Sequence, residues 1–75
     1  MNNSEMNNKM QIKLVNKKDV KQLEVDENTQ VKDVLKSEEI PIETVVVKVN
    51  GQTVTEDEVL SDNDEMEIIK VIYGG

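Results

Sequence analysis

The side chains able to do chemistry are few. Among the 75 residues there is no Cys, His, Arg, Trp or Phe, and Tyr73 is the lone aromatic. Without Cys there is no thiolate nucleophile, thiolate metal site or disulfide framework. Without His the usual general base and the commonest metal ligand are missing. Without Arg no guanidinium fork is available for phosphate or carboxylate. Carboxylates, lysines, hydroxyls and the chain's own terminal carboxylate remain. Glu56 and Glu58 could be read as a hydrolase's carboxylate pair, but no partner base stands near them in sequence, and they read more simply as the solvated part of a loop. Asp62-Asn63-Asp64 resembles the start of a calcium loop. That motif needs Gly at its sixth position and a bidentate Glu at its twelfth, where Glu67 and Tyr73 stand. It reads instead as a turn, with Asn63 the residue expected at positive φ.

The remaining candidate is the end of the chain. Two of the three glycines are Gly74 and Gly75. A carboxylate is a poor acyl donor, because attack on it must expel oxide. Joining it to AMP supplies a good leaving group. An enzyme doing this must thread the terminus to its ATP, and residues without side chains can enter a narrow channel in whatever φ and ψ it requires. The glycyl carbonyl could then accept sulfur, becoming a thiocarboxylate, or be passed to an amine. In that reading the chain is a reagent and its partner the catalyst.

Such a reagent needs a scaffold that holds its tail outward, and the hydrophobic pattern supplies one. Met10, Ile12 and Leu14 alternate with Gln11 and Lys13, the period of a strand with one buried face. Asn16-Lys17-Lys18-Asp19 is a turn by composition, and Val20 to Val25 returns with Leu23 and Val25 on one side, a hairpin. Thr29 or Asn28 can cap a helix over about residues 30–39, whose stripe is Val31, Val34 and Leu35; Pro41 ends it. Thr44 to Val49 is the most β-prone run and reads as a central strand. Asn50-Gly51 fits a type I′ turn, with Gln52 to Val54 the return strand. Val59 and Leu60 are expected to plug the core from a loop. Met66 to Tyr73 is the last strand, with Met66, Ile68 and Ile72 on one face and Glu67, Ile69, Val71 and Tyr73 on the other. The order predicts an α+β domain, a mixed sheet of four to five strands on one helix, with the first and last strands parallel neighbours: the β-grasp, ubiquitin-like arrangement.

Composition sets the limits around this domain. Nine lysines against 16 Asp and Glu leave a formal charge of −7. Such a chain is repelled by nucleic acid and anionic lipid, so direct binding of either is not expected, and a basic protein surface is favoured. The apolar runs are too short for a membrane helix, and residues 1–9, rich in Asn, do not read as a signal peptide; a cytoplasmic monomer is expected. Residues 1–9 are read as a disordered tail, with Met6 or Met10 as alternative starts, 10–73 as the folded domain and 74–75 as a flexible tail.

Val47-Lys48-Val49-Asn50-Gly51-Gln52-Thr53-Val54, then Leu60 with Asp64-Glu65-Met66-Glu67-Ile68-Ile69, then Val71-Ile72-Tyr73-Gly74-Gly75 resemble the ThiS/MoaD family of ubiquitin-like sulfur carriers, and among them the compact archaeal small modifier proteins. The resemblance covers about Met10 to Gly75. It implies that an E1-like enzyme adenylates Gly75, the chain itself being no enzyme and binding no cofactor, with Mg-ATP supplied by that partner. A sulfur donor would form the thiocarboxylate, and acceptor enzymes would pass the sulfur to thiamine thiazole, molybdopterin or tRNA; target-protein lysines are the alternative acceptors. Family members dock through the exposed sheet face and the tail, which places the partner surface at Ile69, Val71, Tyr73 and Val46. The sequence departs from the family in having Asn63 where Gly is usual, and Lys70-Val71-Ile72-Tyr73 where molybdopterin carriers often have a proline pair. The competing reading is a non-covalent β-grasp interaction adaptor whose tail is incidental.

Overall fold

The computed structural model describes residues 9–71, so the expected tails apart from Lys9, together with Ile72 and Tyr73, lie outside the described residues. Five strands and one helix follow in the expected order. The strands are β1 (Lys9–Asn16), β2 (Asp19–Asp26), β3 (Val45–Val49), β4 (Gln52–Val54) and β5 (Glu65–Lys70); the helix is α1 (Val31–Ser37), and a single 3-10 turn spans Ile42–Thr44. They form one mixed sheet of order β2-β1-β5-β3-β4. β1 and β5 are parallel neighbours, with Leu14 beside Met66, and every other pairing is antiparallel.

Alternation decides which side chains meet the helix. Met10, Ile12 and Leu14 of β1, Val47 and Val49 of β3, and Met66 and Ile68 of β5 are buried together with Val31, Val34 and Leu35 of α1. Leu23, Val25, Val45 and Val54 extend this cluster, half-buried. A seven-residue helix would not persist alone in water; burial of its stripe against the sheet holds it.

Several boundaries shift for tertiary reasons. β1 starts at Lys9 rather than Met10, since Lys9 still pairs with Asp26 across the ladder and by an ion pair. The Val-rich β3 is an interior strand, paired on both sides as expected, and β5 lies at the middle of the sheet. The helix is capped by Gln30, not Thr29 or Asn28. Asn28 is in the left-handed region at φ 69°, while the Gln30 N–H donates to the Asp33 carboxylate at 3.0 Å. The free amides of the first turn find carbonyls elsewhere: Val31 N–H donates to Glu58 and Lys32 N–H to Glu56, both at 2.9 Å. The same strand-like contact pairs Gln30 with Val59 and turns Val59 outward, 50% exposed, while Leu60 alone enters the core.

Helix α1 stops at Ser37 before Pro41 can act. Glu39 takes φ 60°, so its N–H returns to Lys36 O and the Ile40 N–H to Leu35 O. This is the left-handed helix terminator in which the chain reverses and the next apolar residue, Ile40, packs back on the core. The expected turns hold: Asn50 and Gly51 have φ 53° and 86°, and Asn63 has φ 68°. No other atom lies within 4 Å of a Cβ built on Gly51, so that glycine serves backbone conformation and not close packing.

Candidate functional site

The last described strand before Gly74 and Gly75 is β5. This strand is hydrogen-bonded on both sides, by β1 and by β3. Its start is fixed by a polar clamp. The Asn50 side chain accepts from the Glu65 N–H at 3.0 Å and donates to the Asp64 carboxylate at 2.9 Å. The other Asp64 oxygen accepts from the Ser61 N–H at 2.8 Å, and Asp62 accepts from the Gln11 N–H at 2.8 Å. The acidic triple is therefore a turn whose carboxylates are engaged by amides. Among the described residues no group of three or more His, Cys, Asp or Glu is placed to hold a metal ion. Glu56 and Glu58 act through their backbone carbonyls as the receptors of the helix amides, a role their acidity did not signal.

The strand leaves the ladder at Lys70, and the Val71 N–H still donates to Thr44 O at 2.9 Å. Gly75 is four residues further on, a fully extended span of at most about 14 Å. Gly74, Gly75 and Tyr73 fall outside the described residues, so the structure gives them no geometry. The other three expected partner-surface residues are brought together. Val46 and Ile69 are direct cross-strand partners on the side opposite α1, each 36% exposed. Val71, half-buried, is the residue just beyond β5, two positions after Ile69.

Around this apolar pair the open face carries opposite charges in register. Lys48 of β3 stands across from Glu67 of β5, and Val15 of β1 flanks Glu67 on its other side. Val15 in turn faces Val20 of β2, 61% exposed. Val15 and Val20 were not singled out in the sequence, although the period of two that buries Leu14 also turns Val15 outward. Near the strand's end Lys17, Lys70, Glu67 and Ile69 border a shallow depression, so two ammonium groups stand at the end of β5. Every buried residue among those described is hydrophobic. What this arrangement can do is present an apolar strip to another protein.

Solved structures that share the fold include the following three. A ubiquitin of Caldiarchaeum subterraneum superposes with a TM-score of 0.67 at 24% identity, over 89% of this chain and 99% of its own. A Haloferax volcanii protein solved in solution gives 0.77 at 20% identity, over 97% and 93%. A ubiquitin-like protein of Trypanosoma brucei gives 0.65 at 19%, over 87% and 98%. At these identities the likeness establishes a ubiquitin-like β-grasp fold. The ThiS family profile matches residues 9–75, which takes in the whole sheet, the helix and both terminal glycines, and the chain belongs to the ThiS family.

Proposed function

We propose that this chain is a sulfur carrier or protein modifier whose reactive group is the carboxylate of Gly75. The observation that carries the reading is the ThiS-family match running through residue 75, so that the Gly-Gly end falls inside the matched region. In this reading an E1-like enzyme joins the Gly75 carboxylate to AMP from Mg-ATP and releases pyrophosphate. A sulfide-level sulfur then attacks the acyl carbon and expels AMP, leaving a thiocarboxylate for thiamine or tRNA thiolation. An attacking lysine amine would expel the same leaving group and leave an amide, the modifier's outcome. The chain contributes positioning: β5 anchors the residues that precede the tail, and Ile69, Val71 and Val46 form the face that the activating enzyme covers.

The test is intact mass after incubation with the cognate E1-like enzyme, ATP and a sulfur source. Wild type is expected to show one oxygen replaced by sulfur, or lysine-linked conjugates, and a variant lacking Gly75 neither. Identical unmodified masses for both would overturn the proposal. Recovery of conjugates from cells would assign the modifier role, and loss of thiolated tRNA or thiamine in a deletion strain the carrier role.

A further inference from the structure

The turn that fixes the start of β5 also holds an amide with a reactive neighbour. Asn50 is the one asparagine of the chain followed by glycine. Val49 pairs with Gln52, so Asn50 and Gly51 are the two turn residues between β3 and β4, and both are exposed. The backbone nitrogen of Gly51 is unshielded. No other atom lies within 4 Å of a Cβ built on that residue, and among the described residues its N–H has no acceptor. Attack of this nitrogen on the Asn50 side-chain carbon closes a five-membered imide and releases ammonia, the reaction to which Asn-Gly pairs in flexible chains are prone.

Two features of the folded turn oppose that closure. Asn50 is at φ 53°, and in this left-handed region ψ is about +47°. The following nitrogen is then roughly trans to Cβ, whereas the imide needs the two nearly eclipsed. The side chain is also tied at both ends. Its Oδ1 accepts from the Glu65 N–H at 3.0 Å and its Nδ2 donates to Asp64 at 2.9 Å, so Cγ turns toward Gly51 only when both bonds open. These two bonds have a second role beside setting the start of β5: they hold Asn50 in the unreactive geometry.

We propose that Asn50–Gly51 is a modification site guarded by this clamp, at which each opening exposes Asn50 to an irreversible loss of its amide that then prevents the clamp from closing. In the open turn hydroxide takes the Gly51 amide proton, and the nitrogen attacks Cγ. The N–Cγ bond forms, the Cγ–Nδ2 bond breaks, and Nδ2 leaves as ammonia with a proton from water. Water then opens the imide at Cγ, leaving an aspartate, or at the main-chain carbonyl, leaving an isoaspartate. The net change consumes one water and releases one ammonia, with no oxidant or reductant. In the product a carboxylate replaces the donor that faced Asp64, so two like charges meet where a hydrogen bond stood. The isoaspartate also lengthens a turn that has room for two residues. The modified chain thus loses the side-chain tie between this turn and the segment that starts β5. The site shares no residue with the terminal glycines and is independent of their activation.

The experiment ages the full chain at neutral pH in water enriched in heavy oxygen. The fragment spanning Asn50–Gly51 is then read by mass for ammonia loss, heavy-oxygen uptake and isoaspartate. The folded chain should react at least about tenfold more slowly than the same segment as a free peptide, the protection that two closed hydrogen bonds give. In Asp64→Asn the new amide keeps the Ser61 N–H only by turning its own NH2 toward that of Asn50. This variant should react about fivefold faster than wild type, the effect of one lost hydrogen bond, also when urea brings wild type to the same unfolding free energy. Asn50→Asp, which stands for the product, should lower Tm. Asn50→Asp combined with Asp64→Asn should restore most of that loss, because the exchanged pair keeps the bonds to Glu65, to Ser61 and to each other. Equal rates in chain and peptide, an Asp64→Asn rate at or below wild type at matched stability, or a wild-type Tm for Asn50→Asp would overturn the proposal. Should Asp64→Asn fail to fold, the chain-to-peptide ratio and the Tm of Asn50→Asp decide the matter alone.

Discussion

The two faces of the sheet are built by the same strands and have opposite physical characters. On β5, Met66 and Ile68 point at the helix and are buried to 0% and 3% exposure, while Glu67 and Ile69 point away and remain in contact with water. On β3, Val47 and Val49 face inward, with Val46 and Lys48 outward. The buried residues of the covered face are all hydrophobic, and the face is closed by one short helix. The open face alternates aliphatic pairs with a Lys48–Glu67 charge pair and has nothing over it in the described residues. The contrast teaches that stability and recognition are divided by the pleat: a substitution at an even step on β5 should unfold the domain, and one at an odd step should change what it binds.

The largest effect expected is on the covered side. Leu35→Ala removes a 1%-exposed side chain from the middle of the helix contact. It should lower unfolding free energy by about 2–5 kcal/mol in a denaturant titration, a large share of what so small a domain possesses. Next comes the clamp that sets which residues of β5 face inward. Asn50→Ala loses two side-chain hydrogen bonds and a residue suited to φ 53°, and about 1–3 kcal/mol should be lost. Asn50→Gly, retaining only the backbone tolerance, should recover part of this in the same assay.

The open face should answer differently. Ile69→Glu is expected to move stability by no more than about 0.5 kcal/mol, yet to weaken the activating enzyme's use of the chain roughly tenfold or more in kcat/KM, as loss of a central apolar contact does. A large loss of stability with unchanged kcat/KM would reverse the division of labour between the faces. A smaller effect concerns the helix terminator. Glu39 holds a left-handed conformation without the freedom of glycine, so Glu39→Gly should stabilise by about 1 kcal/mol or less, read as a rise in Tm.

The smallest effect is electrostatic. The hydrogen bond from Lys9 to Asp26, followed by their charge attraction, raises the lysine above its ordinary value of 10.5. A group raised in the folded state contributes stability below its unfolded pKa, and loses that contribution as pH climbs through the folded value. The Tm difference between wild type and Asp26→Asn should therefore be small at neutral pH and vanish in strongly alkaline solution; a difference that grew with pH would contradict this pairing.

Local pattern made most of the architecture readable. The period of two in Met10, Ile12 and Leu14, the helical spacing of Val31, Val34 and Leu35, and the Asn50-Gly51 turn each encode their geometry within a few residues. The helix start is only partly local: Gln30 bonds to Asp33 within the same turn, but the amides of Val31 and Lys32 go to the carbonyls of Glu58 and Glu56, more than twenty positions downstream. Val59 was assigned inward for a similar reason: nothing near it in sequence shows that the segment lies strand-like against Gln30 and turns Val59 outward. Half of the candidate surface was readable too, since Ile69 and Val71 follow from alternation on one strand, whereas the share of Val15 and Val20 in the same face depends on the β1–β5 and β1–β2 registers.

Composition and spacing by themselves determined that this chain carries little side-chain chemistry, folds as an aliphatic sheet around one helix, and ends in Gly-Gly. Only the tertiary structure decided that β5 lies mid-sheet, that Val46 stands across from Ile69, and that β2 is left as the long edge of the sheet. Those outcomes depend on which strands pair and in what register, and pairing is settled by the joint burial of one apolar face across residues that lie far apart in the chain.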